Sequence, residues 1–130
     1  MREERVSDRP RMDKLGVHSG SRVSVLGLED AAFLEELQSR GADVSTRRRS
    51  NSDLIFFGLD GSRGLSKLRE LERYLKRDGA VWTIFPRGRP ELKEADVIRA
   101  GVAAGLVDNK VVRFSDTHTA LRFVIPLARR

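Results

Sequence analysis

The run Leu54-Ile55-Phe56-Phe57 limits the fold more than any other feature of the chain. Four consecutive apolar residues cannot lie in a strand that keeps one side in water. The run therefore predicts a strand buried on both sides, in a sheet covered by helices on both faces. Two further segments read the same way. Arg22-Val23-Ser24-Val25-Leu26 ends at Gly27, and Ala80-Val81-Trp82-Thr83-Ile84-Phe85 follows the turn signal Asp78-Gly79. Between them lie apolar stripes at helical spacing. Phe33, Leu34 and Leu37 follow Asp30, a carboxylate able to cap the first turn, and Gly41 ends that helix. Leu65, Leu68, Leu71 and Leu75 form a second stripe, with Lys67, Arg69, Glu70 and Glu72 toward water. Leu92, Ala95, Ile98 and Val102 form a third, with Pro90 at its first helical position and Gly105 closing it.

Strands alternating with helices predict an α/β fold, a three-layer Rossmann-like sandwich with a mostly parallel sheet. Asp43-Val44-Ser45-Thr46 is a further short strand. Val111, Val112 and Phe114 mark another, and Leu121, Phe123, Ile125 and Leu127 the last. Only about Ser115 to Thr119 joins those two, too little for a parallel crossover, so a C-terminal antiparallel hairpin should lie at one edge, with Pro126 on it. A length of 130 residues suits a single domain over residues 15–130. Residues 1–14 carry Arg2, Arg5, Arg9 and Arg11 against Glu3, Glu4 and Asp8 without an apolar period, which predicts a flexible charged N-terminal arm.

Composition narrows the chemistry. The chain has no cysteine, which excludes disulfides, a thiolate metal site and a cysteine nucleophile, and makes the reducing cytoplasm the expected compartment. No apolar run approaches the ~18 residues of a spanning helix, and the charged start does not read as a secretory signal. A net charge of +6 invites a nucleic-acid reading. Acidic residues are interleaved with the basic ones along the chain, however, as on a solvated surface. His18 and His118 stand without ligand spacing around them, so no metal is expected.

Several segments carry a family likeness. Ser19-Gly20-Ser21-Arg22-Val23-Ser24-Val25-Leu26-Gly27, Asp53-Leu54-Ile55-Phe56-Phe57, Asp78-Gly79-Ala80-Val81-Trp82 and Ala104-Gly105-Leu106 resemble strand entries and turns of the class I S-adenosylmethionine-dependent methyltransferases. More closely, the chain from about Leu15 onward resembles the small, mainly actinobacterial domain of unknown function 3052. That likeness rests on Arg22 to Leu28, Ser52 to Phe56, Ile84 to Leu92, Ala104 to Asp108, Phe114 to Thr117 and Ile125 to Arg130. It implies fold rather than activity. The methyltransferase likeness implies a cofactor held by a glycine-rich first loop and a carboxylate ending the second strand. Here Gly27 leads into Leu28-Glu29-Asp30-Ala31 without further glycines, and Thr46-Arg47 stands where the carboxylate should be. The sequence therefore predicts a non-catalytic, methyltransferase-like binding or scaffolding module without a cofactor. A divergent S-adenosylmethionine-dependent enzyme and a nucleic-acid-binding protein are the alternatives.

Candidate contacts follow from position. Gly27 and Glu29 lie in the first loop. Arg87, Gly88 and Arg89 leave the end of a central strand, where open α/β sheets bind ligands, and their forked donors suit an anionic ligand or an acidic protein surface. Arg47, Arg48 and Arg49 are candidate contacts for an anion or nucleic acid. Ser115-Asp116-Thr117-His118 groups a hydroxyl, a carboxylate and an imidazole, but neighbours in a turn seldom align as a triad, so Asp116 and Thr117 are expected to cap the turn and no catalytic residue is assigned.

Overall fold

In the computed structural model, which describes residues 9–130, the chain forms one six-stranded sheet between two helical layers. The strands are β1 (Arg22–Leu26), β2 (Asp43–Ser45), β3 (Ser52–Gly58), β4 (Leu75–Pro86), β5 (Val107–Arg113) and β6 (His118–Val124), in the spatial order β2-β1-β3-β4-β6-β5. Pairings from β2 through β4 are parallel. Strand β6 runs antiparallel between β4 and β5, so the expected hairpin is present, with β5 as the outer strand.

Each layer is assembled by side-chain alternation. Val23, Val25, Leu54, Phe56, Ala80, Trp82 and Ile84 face helices α1 (Arg11–Lys14) and α2 (Ala31–Ser39), whose Met12, Phe33 and Leu37 are buried against them. Ile55, Phe57, Val81, Phe85, Leu121 and Phe123 face α3 (Leu68–Leu71) and α4 (Glu94–Ala103). The run Leu54 to Phe57 is thus buried on both sides, as its lack of alternation requires. The Trp82 indole donates to the Leu15 carbonyl at 3.1 Å, tying the sheet centre to the end of α1. Asp30 accepts from the Phe33 amide at 3.0 Å and caps α2, and Gly41 ends it at φ +90°.

Several sequence expectations are corrected. Order begins before residue 15: Arg11–Lys14 is helical, Met12 is buried, and Arg11 donates to the Phe114 carbonyl and pairs with Glu36. An apolar residue and a forked donor with distant partners anchor this segment, and a local reading of charge cannot see those partners. Residues 1–8 of the expected arm lie outside the described residues. The leucine stripe is not one helix. A 3-10 turn (Ser62–Lys67), α3 and another 3-10 turn (Glu72–Tyr74) share it, and Leu75 already starts β4. Asp78-Gly79 lies within β4, where the register against β3 shifts, rather than in a turn. Helix α4 starts after Lys93 instead of at Pro90, because the Asp96 carboxylate accepts from the Lys93 amide at 2.9 Å and sets the first turn there. Strand β6 ends before Pro126, which opens a 3-10 turn.

No described helix is long and apolar enough to cross a membrane. Helix α4 rides so close to the sheet that a Cβ on Gly101 would stand 2.0 Å from the Phe123 ring. Gly101→Ala is expected to destabilise the domain by about 2 kcal/mol through overpacking, read as a shift in the urea midpoint without a change in slope.

Candidate functional site

The carboxyl ends of β1, β3 and β4 share one end of the sheet, where open α/β folds take ligands. Connections leave β1 and β3 toward opposite layers, so the topological switch point lies between these two strands. There Gly27 and Gly58 continue the β1–β3 register at close approach. Gly27 sits at φ +66°, and a Cβ on Gly58 would stand 2.3 Å from the Gly27 carbonyl oxygen and 3.2 Å from the Leu28 Cα. The β1 loop then reaches α2 within three residues, Leu28 packs on the core, and the Asp30 carboxylate accepts from the Phe33 amide of α2. Glu29 is exposed in that loop.

The recess lies one strand further along. A cleft of about 510 Å³ opens between the end of β4 and the start of α4, lined by Phe85, Pro86 and Leu92 below and by Arg89, Lys93 and Glu94 at the rim. Arg87 and Gly88 also border it, so the structure brings Arg87, Gly88 and Arg89 together, whereas Gly27 and Glu29 are not among its lining residues. The two arginines differ in role. Arg87 donates to the Ser115 carbonyl at 2.8 Å, to the His118 carbonyl at 3.3 Å and to the Asp116 carbonyl, and so clamps the β5–β6 turn. Arg89 is half exposed, donates to the Asp60 carbonyl at 3.2 Å and stands 3.8 Å from Glu91. Lys93 was missed from sequence because the helix was expected to begin four residues earlier. Its pattern signal was Asp96 three residues on, the local cap that sets the start of α4.

The turn beside the cleft is built by Ser115 rather than by Asp116. The Ser115 hydroxyl accepts from the amides of Thr117 and His118 at 3.3 and 3.1 Å, while Thr117 Oγ1 lies 2.7 Å from His118 Nδ1. Asp116 contributes its carbonyl to Arg87. Burial, reinforced by Arg87 and Arg89, pushes the His118 imidazole below its ordinary value against the opposing pull of Asp30. Among the described residues, no cluster of His, Asp and Glu suits a metal ion.

The triplet Arg47-Arg48-Arg49 is a structural crossing as much as a basic patch. Residues 46–51 carry the chain from β2 to the parallel β3 across β1, where a crossover normally needs a dozen residues or more. The path runs over Ser24, whose hydroxyl lies 3.0 Å from that of Ser52, which in turn donates to the Arg49 carbonyl. Arg49 bonds the Val23 carbonyl at 3.0 Å and the Asp43 carboxylate at 3.1 Å. Arg49 is thus committed to the fold, Arg48 lies 3.8 Å from Glu70, and Arg47 stays exposed.

Solved structures with this architecture include SAM-dependent methyltransferases. A SAM-dependent methyltransferase from Aquifex aeolicus matches with a TM-score of 0.69 at 16% identity, over 88% of this chain and 87% of that one. A TehB-like SAM-dependent methyltransferase from Corynebacterium glutamicum matches at 0.67 and 16%, over 89% and 86%. PigF with SAH matches at 0.58 and 14%, over 82% of this chain and 56% of PigF. The fold is that of the SAM-dependent methyltransferases. No protein-family model matches the chain, and no curated protein does either.

At the switch point the β1 loop abuts the β3 loop, α2 is capped by its own Asp30, and β2 ends at Ser45, whose hydroxyl accepts from the Arg47 amide. The only carboxylate of β2, Asp43, stands at its start and is held by Arg49.

Arg87→Ala is expected to cost about 2 kcal/mol of unfolding free energy, because it strips several carbonyls of a charged donor. Arg89→Ala should stay within about 0.5 kcal/mol. Urea denaturation of the two variants checks both. With the His118 pKa depressed in the fold, the unfolded chain takes up the proton first. Stability should therefore fall as pH drops below about 6.5 toward the folded value, and His118→Gln should remove that component from a pH series of melting curves.

Proposed function

We propose that this chain is a methyltransferase-fold binding module that works without S-adenosylmethionine, and that its ligand site is the cleft between β4 and α4. The observation that carries the reading is the contact of the β1 and β3 loops, where a Cβ on Gly58 would meet the Gly27 carbonyl at 2.3 Å. The cleft has an apolar floor of Phe85, Pro86 and Leu92 and a rim where Arg89 and Lys93 outweigh Glu94. That combination suits a small molecule with an apolar body and one anionic group. Membership of the domain of unknown function 3052 and a cytoplasmic setting belong to the same proposal. They are supported by the quoted segments and by the absence of cysteine.

Thermal unfolding separates this reading from cofactor use. In 1 mM S-adenosylhomocysteine the melting temperature is expected to stay within 1 °C. A rise of about 5 °C or more would establish a nucleotide site and overturn the proposal. The cleft is tested with 8-anilinonaphthalene-1-sulfonate, an apolar anion. One molecule should bind per chain, and a combined Arg89→Ala and Lys93→Ala variant should weaken that binding about tenfold, whereas equal binding would move the site elsewhere.

A further inference from the structure

Folding gathers part of the chain's interleaved charge into one basic band, beside α4, whose first turn carries Glu94 and Asp96. The α1–α2 layer carries Asp13, Glu29, Asp30, Glu35 and Glu36 against Arg9, Arg11, Lys14 and Arg40. The opposite surface is formed by the β2–β3 crossover, by residues 62–77 and by the end of the chain. Its basic residues outnumber its carboxylates several-fold, because only Glu70 and Glu72 lie among them.

Contacts show that these three segments make one continuous surface. Arg48 of the crossover stands 3.8 Å from Glu70 of α3 and 5.9 Å from the Tyr74 ring centroid. Glu72 is shared by Arg77 at 3.6 Å and Arg129 at 2.7 Å, and these arginines lower its carboxyl below the ordinary range. Arg77 also reaches the Arg129 carbonyl. A depression of about 570 Å³ lies at one end of this band, beside the end of α4, bordered by Arg69, Glu72, Arg73, Arg77 and Arg129. Glu70 and Glu72, with Asp43 on Arg49 and Asp53 on Lys76, are the carboxylates paired with this surface of many cations. Among the described residues, no carboxylate is paired with Arg47, Lys67 or Arg73, and all three are exposed.

We infer that this band, on the α3 side of the sheet and remote from the β4–α4 cleft, is a binding surface for single-stranded nucleic acid. Arginine forks match phosphate oxygens in pairs, and a continuous row of them follows a polyanion better than it does a single group. Tyr74, half buried against the α3–α4 core with Arg48 5.9 Å from its ring centroid, adds a partly exposed ring that an unpaired base can meet. Oversubscribed carboxylates mean that an incoming phosphate need not displace an existing partner at every arginine.

The test is fluorescence anisotropy of the full chain with a fluorescein-labelled 20-nucleotide oligouridylate at 50–200 mM salt. Binding is expected to weaken with salt. A variant combining Arg47→Glu, Lys67→Glu and Arg73→Glu should lose at least tenfold in affinity and flatten the logarithmic salt slope by about 2, as three lost phosphate contacts require. The milder combination Arg47→Ala, Lys67→Ala and Arg73→Ala should show the same direction, which protects the result against misfolding of the charge-reversed chain. Lys14→Glu, on the opposite layer, should change the affinity less than twofold. No binding at 50 mM salt, equal affinity of the alanine variant, or equally effective competition by polyglutamate would each overturn the assignment, the last by pointing to acidic protein instead.

Discussion

A sheet buried on both faces leaves only its ends and outer strands to meet solvent, and the placement of every candidate site follows from that constraint. Residues Leu54 to Phe57 and Ala80 to Phe85 are consumed by packing, with Phe56, Val81 and Ile84 fully buried. Chemistry is therefore confined to loops at the carboxyl end of the sheet and to the outer surfaces of the helical layers. At the carboxyl end, two glycines let the β1 and β3 loops touch. The first open space is consequently displaced to β4, where Pro86 to Lys93 bends away before α4 begins.

Arginine ties together many of the short connections of this chain. Short loops leave carbonyls without partners, and a guanidinium offers several donors in one plane. Arg49 bonds Val23, Arg87 bonds Ser115 and His118, Arg69 bonds Ala103, Arg129 bonds Gly105 and Arg130 bonds Ile125, each at a main-chain oxygen. The preference for arginine over lysine, 20 against 5, thus has a structural use that a point-charge ammonium would serve poorly. A basic chain is in this way partly spent on its own backbone. The arginines left over gather on the α3 side, where the crossover, the 3-10 turns and the chain end converge.

The sheet order and the antiparallel β6 give the chain the fold of SAM-dependent methyltransferases, and a shared fold does not by itself carry a shared activity. Shared architecture supplies a ligand-competent end of the sheet, and the local loops decide which strand presents an opening there.

Much of the architecture was legible from residues alone. Leu54 to Phe57 announced a doubly covered sheet, Asp30 and Gly41 bounded α2, and the short link through Ser115 required an antiparallel pair. What could not be read was which cation meets which oxygen. Arg47, Arg48 and Arg49 look alike in sequence, yet one crosses β1 to bond Val23, one faces Glu70, and one points to water. Arg87 and Arg89 likewise looked equivalent until the β5–β6 turn came to lie beside one of them. Apolar periodicity is local, because burial of a side depends on spacing within a single element. The partner of an arginine is fixed by segments tens of residues away, so tertiary structure alone decided which of them hold the fold and which are left for a ligand.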